Sequence, residues 1–262
     1  GAGRFSIQGA AEALRSVLQH LQAMGLCDGQ NAAVIRRQAE QIHGDHGSFP
    51  EPSLPVHPGN GFSEADRLYF VEYQNDCAVD GGFTCPNRDG TLGTRGCMFC
   101  SGSGEFAASG LASIPEQLEQ AKLILGKKAH NARFIAYFQE FTNTYGDVSR
   151  LEPLFLQAME PDDVVALSIA TRPDCLPEDI LRMLSRLREK KPIFVELGLQ
   201  TMHDETARYI RRGYRLPVFD AAVDRLHTLD VEVVAHMILG LPGETPEMIV
   251  QTARHLGQVG VN

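Results

Sequence analysis

The chain has 262 residues, enough to bury a sizeable core, with the 43% hydrophobic and 22% charged content of an ordinary globular protein. Its 24 Lys and Arg stand against 33 Asp and Glu, and the net charge of −9 excludes broad attraction to nucleic acid through bulk charge. No run approaches the roughly 18 apolar residues that span a bilayer, no basic-then-apolar leader opens the chain, and the chain is expected to be a cytoplasmic fragment or processed form.

Residues 1–62 are expected to form a helical N-terminal extension plus linker. Helical periodicity runs through 10-AAEALRSVLQHLQAMGL-26 and 31-NAAVIRRQAEQI-42. The stretch 43-HGDHGSFPEPSLPVHPGNG-61 is rich in Gly, Pro and His and reads as a loop. Residues 63–262 then read as one unit with a β/α rhythm. Candidate strands are 68-LYFVEY-73, 132-ARFIAYF-138, 163-DVVALSIA-170, 193-IFVELGL-199 and 232-EVVAHMILG-240. Helix starts are marked by Ser113 with Glu116 and by Ser149 with Glu152, both in capping-box spacing, and by Thr245 before Pro246. Strands that are apolar on both faces, each followed by one helix, imply a parallel sheet covered by helices. The α/β fold is expected to be cut short near its sixth strand.

The most informative stretch is 83-FTCPNRDGTLGTRGCMFCSGS-103. Cys85, Cys97 and Cys100 are three of the six cysteines of the chain. Their clustering in a large, core-rich chain points to a metal site rather than a disulfide framework. A structural zinc site closes with four Cys or His ligands, and here only three lie close together. A redox Cys-x-x-Cys pair would leave Cys85 unexplained. An iron–sulfur cluster held by three thiolates would leave one iron open. The glycines at 90, 93, 96, 102 and 104 let the backbone wrap closely around such a group. The loop follows an expected first strand and precedes a helix, which in parallel β/α folds is the active-site end. Spacing alone leaves the cluster and zinc readings both open.

With these residues in view the chain resembles the radical S-adenosylmethionine (SAM) superfamily. The Cys-x11-Cys-x-x-Cys spacing is similar to the branch that contains the catalytic subunit of Elongator. Within that branch the chain resembles a bacterial group of predicted iron–sulfur oxidoreductases. Further matches are 136-AYFQEFTNTY-145, 170-ATRPDC-175, 196-ELGLQT-201, 212-RGY-214 and 239-LGLPGET-245. The resemblance implies a partial (β/α)6-type barrel. It implies that Cys85, Cys97 and Cys100 bind a [4Fe–4S] cluster whose open iron chelates SAM. An electron from the cluster would cleave SAM to methionine and a 5′-deoxyadenosyl radical, which would abstract hydrogen from an unknown substrate. RNA is one substrate class that the branch suggests, and a flavodoxin or ferredoxin is the expected electron donor.

The resemblance also implies cofactor contacts. Phe99 would lie near the adenine, and Gln139 would close the second strand where many members carry a Gly-Gly-Glu contact. Thr171 and Arg172 end the third strand at the position of ribose or carboxylate contacts. Gln200 and Arg212 resemble a SAM-binding pair of a porphyrin-synthesising branch. Glu196 and His236 could face the barrel interior, and Gly240 would turn the chain near the adenine. Plainer readings stand beside these. Phe99 could be core, Arg172 could pair with Asp174, and Gln200 could be a satisfied core amide. Glu196 is harder to dismiss, because a carboxylate in a buried strand must be paired or have a task. Cys27, Cys77 and Cys175 read as ordinary thiols. The alternative to an enzyme is a zinc-binding structural or interaction module on the same scaffold.

Overall fold

The computed structural model describes residues 76–100, 112–125 and 133–261. The expected helices and linker of residues 1–62, the candidate strand 68–73, Cys27, Gly102 and Gly104 lie outside the described residues, as does the boundary at 62/63.

The order is β1 (Asp76–Val79), α1 (Ile114–Leu125), β2 (Phe134–Phe138), α2 (Val148–Met159) and β3 (Val164–Thr171), then a 3-10 turn (Pro173–Cys175), α3 (Glu178–Arg188), β4 (Ile193–Gln200), α4 (Asp204–Tyr209), α5 (Leu216–Thr228), β5 (Glu232–Met237) and α6 (Pro246–Val259). The strands form one sheet in the order β1-β2-β3-β4-β5, every neighbouring pair parallel. Parallel neighbours need a crossover, and the intervening helices supply it. The result is a curved run of consecutive β/α units, a partial barrel.

Because side chains alternate along a strand, each strand sends one set to the helices and one to the opposite face. The helix-facing set is the core. Val79, Ala136, Phe138, Leu167, Ile169, Val195, Leu197 and Val233 join Leu118, Leu151, Phe155, Leu184, Phe219 and Leu226 in one buried cluster. Phe138 and Phe155 meet edge to face at 4.9 Å, with Phe83 6.2 Å from each. The opposite face is narrower. Ile135, Ala166 and Phe194, with Val234 packed on them, form a small apolar floor of their own. This face is the inner wall, or bore, of the partial barrel.

Two of the three expected helix starts are observed. Ser113 and Glu116 exchange hydrogen bonds ahead of α1, with Ser113 N donating to Glu116 Oε2 at 2.8 Å and Glu116 N to Ser113 Oγ at 3.4 Å. Thr245 Oγ1 accepts from Met248 N, with Pro246 opening α6. The Ser149–Glu152 box is not formed. Asp147, two residues earlier, is the extended N-cap residue, so Ser149 already lies in the first turn of α2. Glu152 is drawn instead to Arg186 of α3, which donates to it at 2.9 and 2.8 Å.

Phe138 is fully buried where β2 meets α2. Phe138→Ala is expected to cost about 3–5 kcal/mol, the sum of lost transfer energy and an unfilled cavity. Urea unfolding followed by circular dichroism checks this, with Leu123→Ala, at an exposed position of α1, changing stability by less than about 0.5 kcal/mol.

Candidate functional site

The loop from Thr84 to Cys100 leaves the C-terminal end of β1 and closes on itself through backbone hydrogen bonds. Cys85 O accepts from Arg88 N and Asp89 N at 2.8 and 3.1 Å, Pro86 O from Leu92 N at 2.8 Å, and Asn87 O from Gly96 N at 2.8 Å. Gly96 sits at φ +68, where a Cβ would lie 2.9 Å from the Arg88 guanidinium carbon. The Arg88 side chain could yield, so it is the left-handed φ that favours glycine there. Cys97 and Cys100 frame a tight turn, with Cys100 N donating to Cys97 O at 3.2 Å.

Cys85, Cys97 and Cys100 are free thiols, each half-buried on this loop. The other two described cysteines differ. Cys77 and Cys175 are buried, and desolvation pushes both thiols up to about 12. Burial also raises the Cys97 thiol, opposed by the hydrogen bond from Asn87 and by the charge of Arg172. Among the described residues, no three His, Cys, Asp or Glu side chains converge on one point as a single metal ion requires. A cubane makes no such demand, because its cysteines bind separate irons. The donor set fits a cluster: three thiols on one loop, with an amide donor and a buried guanidinium beside them.

Beyond the loop, the turn after α4 completes the surroundings. Arg212 is 1% exposed, yet its guanidinium donors meet carbonyls. Nη1 donates to Leu199 O at 2.7 Å and to Thr201 O, while Nε and Nη2 donate to Tyr214 O at 3.1 and 3.0 Å. The guanidinium carbon also lies 4.6 Å from the centre of the Tyr214 ring, and that of Arg172 lies 5.0 Å from it. Arg172 forms a two-pronged pair with Asp174 at 2.9 and 2.7 Å and donates to Arg212 O at 2.9 Å. Burial works against its charge, and the bonds to Asp174 more than reverse this.

The expected cofactor residues divide into groups. Phe99 is 44% exposed on the cysteine loop, so it is not core. Gln139 follows β2 and is half-buried. Thr171 ends β3, but its hydroxyl is taken by Thr144 at 2.6 Å on the helix side. Gln200 ends β4 with φ +59, and with its amide oxygen and nitrogen exchanged to suit their neighbours the nitrogen donates to the carbonyls of Gly198 and Leu199 at 3.1 and 3.2 Å. Gly240 is exposed at φ +80 in the turn after β5. Arg172, Gln200 and Arg212 thus gather near the loop with their side chains engaged by the chain itself.

Glu196 lies in the bore, one layer above the apolar floor. Its Oε2 accepts from Tyr137 Oη at 2.6 Å and meets His236 Nε2 at 2.6 Å, and its Oε1 accepts from Ser168 Oγ at 2.5 Å. Burial would raise its pKa, but His236, Ser168 and Tyr137 outweigh that and hold the carboxyl below its usual range. Tyr137 is pushed well above its usual value by burial and by Glu196, and stays protonated. Glu196 is therefore an ionised acceptor whose three partners come from three other strands.

Asn87, Tyr137, Ser168 and Tyr214 were not singled out from the sequence. The last three had a readable signal. In β2 to β5 an apolar residue is followed two positions later by a polar one: Ile135 and Tyr137, Ala166 and Ser168, Phe194 and Glu196, Val234 and His236. Tyr214 closes the quoted RGY segment. Asn87 had only its place inside the cysteine motif.

Comparison with known proteins adds to this geometry. The sequence profile of the radical SAM superfamily matches residues 90–256. Protein YtqA of Bacillus subtilis is 43% identical over 197 residues, covering 74% of this chain and 61% of its own. Protein YhcC of Escherichia coli K12 is 35% identical over 192 residues, covering 70% and 59%. The chain spans about three fifths of the length of these curated relatives. Among solved structures, the Elp3 of the archaeon Methanocaldococcus infernus, lacking its residues 1–46, superposes with a TM-score of 0.50 at 20% identity, over 69% of this chain and 41% of that one.

The depressed Glu196 pKa makes a signed prediction. The pairing contributes stability above the unfolded carboxyl pKa of about 4.3 and loses it as pH falls through the folded value. Glu196→Gln is expected to cost about 1–3 kcal/mol at pH 7, with the gap to wild type closing as pH falls below about 4. Melting temperatures of both proteins across pH 3 to 7 check it; a gap that does not change with pH overturns the ionised assignment.

Proposed function

The chain belongs to the radical SAM superfamily, and from that premise we propose that it is a catalytic core in which Cys85, Cys97 and Cys100 hold a [4Fe–4S] cluster and the bore below takes S-adenosylmethionine and a substrate. The observation that carries this is the placement of three free thiols on one closed loop at the C-terminal end of the sheet. When bound, the cluster supplies the electron that cleaves S-adenosylmethionine to methionine and a 5′-deoxyadenosyl radical, which takes hydrogen from the substrate.

The residues of the chain then have separable tasks. Asn87 and Arg172 favour the ligating thiolates by hydrogen bond and charge. The exposed ring of Phe99, between the last two ligands, offers a stacking face for the adenine. Gln139 and Gly240, at the ends of β2 and β5, are proposed as backbone and side-chain contacts along the cofactor. Thr171, Arg172, Gln200 and Arg212 shape that rim, and their bonds within the chain support a role in holding its backbone carbonyls and amides in place. In the bore, Glu196 orients His236 and fixes the proton on its Nε2, and we assign the His236 imidazole, on β5, to substrate. That reading makes Glu196 an orienting residue rather than a direct cofactor contact.

The unit is proposed to comprise residues 63–262, with 1–62 an extension. Among the described residues no helix is long and apolar enough to cross a membrane. We propose a cytoplasmic setting, a flavodoxin or ferredoxin as electron donor, and RNA as a substrate class, the last on the Elongator-like spacing of the cysteines alone.

Anaerobic reconstitution of the full chain with iron and sulfide is expected to give a brown protein with about four irons per chain. Cys97→Ala abolishes loading and Cys77→Ala leaves it intact. Reductant and S-adenosylmethionine then yield 5′-deoxyadenosine. A colourless product carrying about one zinc per chain would overturn the reading in favour of a zinc-binding module.

A further inference from the structure

Asn87 lies two residues after the first ligand and is 7% exposed. Its side-chain nitrogen faces three acceptors: Cys97 Sγ at 3.2 Å, Arg211 O at 2.9 Å and Arg212 O at 3.1 Å. An amide has two hydrogens, so one of them is shared. Its oxygen faces Gly213, where φ is +90 and a Cβ would lie 2.9 Å from Asn87 Oδ1. The two carbonyls belong to a turn whose Arg211 also has positive φ, at 58. That turn is pinned by the buried Arg212 guanidinium. The amide is thus fixed from its far side by backbone that has little freedom to move.

The contact to sulfur is one-directional once a metal is bound. As a free thiol, Cys97 can direct its S–H to Arg211 O at 3.5 Å. As a ligand it has lost that proton, and the sulfur becomes a stronger acceptor facing the same amide. Hydrogen bonds to cluster sulfurs lower the energy of the more negative, reduced state more than that of the oxidised state, so each one raises the reduction potential.

We propose that Asn87 is a positioning residue that donates an N–H···S hydrogen bond to the Cys97 thiolate and thereby raises the reduction potential of the cluster, an inference that rests on the cluster reading above. The geometry supports this, because the only side-chain amide against a ligand sulfur among the described hydrogen bonds is also tied to the Arg211–Gly213 turn.

The sign separates this role from simple loosening of the loop. Shrinking a buried side chain admits water, and a wetter cluster has a higher potential. Losing an N–H···S bond lowers it. The test uses the reconstituted full chain, with the midpoint potential read by electron paramagnetic resonance during a reductive titration. Asn87→Ala removes the donor, and Asn87→Asp keeps the shape while replacing the donor by a carboxylate. Thr91→Val is the comparison, since it removes the bond between Thr91 Oγ1 and Tyr145 Oη at 2.9 Å, which ties the loop without touching sulfur and without changing charge. The expected result is loading in the Asn87→Ala protein with a midpoint shifted to more negative potential, a larger negative shift for Asn87→Asp if it loads, and no shift for Thr91→Val. An unshifted or more positive midpoint in Asn87→Ala, or an equal shift in Thr91→Val, overturns the proposal. Loss of loading in both Asn87 variants while Thr91→Val loads also overturns it, leaving Asn87 a loop tie only. Failure of wild type itself to take up iron sinks the cluster reading instead, which the unmodified protein reveals before any variant is made.

Discussion

Burying a guanidinium is costly unless its donors are met, and at Arg212 the chain meets them with its own backbone. The carbonyls of Leu199 and Thr201 come from the end of β4, and that of Tyr214 comes from the turn after α4. One side chain therefore clamps a strand end to a turn. The clamp propagates. Because the turn is fixed, the Arg211 and Arg212 carbonyls are fixed, and these hold the Asn87 amide and the Arg172 guanidinium. Asn87 in turn reaches the Cys97 sulfur, and Arg172 lies close enough to act on its charge. Removing the Arg212 cation would leave several carbonyls without donors in a dry region, so the cost would fall on the loop as well as on the strand.

The bore solves a different problem with the same economy of means. A lone ionised carboxylate inside a sheet would neutralise itself rather than stay charged. Glu196 stays charged because three donors, one from each of β2, β3 and β5, converge on its two oxygens. The carboxylate thereby cross-braces four strands on the face opposite the helices, where the apolar floor of Ile135, Ala166, Phe194 and Val234 is small. The side facing the helices needs no such brace, because the main core already binds strands to helices there. The polar layer therefore ties β2, β3 and β5 to β4 through a single carboxylate.

How much of this could be read beforehand follows from what kind of information each feature carries. Strands β2 to β5 were legible because apolar runs and single helices alternate over long, regular stretches. The Ser113 and Thr245 caps were legible because their signal is local. The Ser149 cap misled because α2 already starts at Val148, after an extended Asp147, and because the long-range pull of Arg186 draws Glu152 away. The gathering of Cys85, Cys97 and Cys100 on one loop was legible from spacing and composition. Arg212 was visible as a residue to watch, but its clamp on Leu199 and Thr201 depends on a turn geometry that periodicity does not encode. Asn87 was hidden for the same reason. It sits 124 residues before its partner Arg211, and nothing near it in sequence marks the pairing.

The surroundings of the cysteines bear on the choice between zinc and a cluster more than the cysteines do. A structural zinc site closes its shell with a fourth thiolate or imidazole. Here the groups around Cys97 are the Asn87 amide, the Arg211 carbonyl and the positive field of Arg172. The stretch from 101 to 111 contains neither Cys nor His. Cys77 faces the helices in β1, and Cys175 is buried in the turn after β3; burial holds both as protonated thiols, poor metal ligands. An amide donor and a guanidinium are of no use as ligands. They are well suited to stabilising the excess negative charge of a sulfur-rich anion, and that charge has to be met on every side that solvent does not reach.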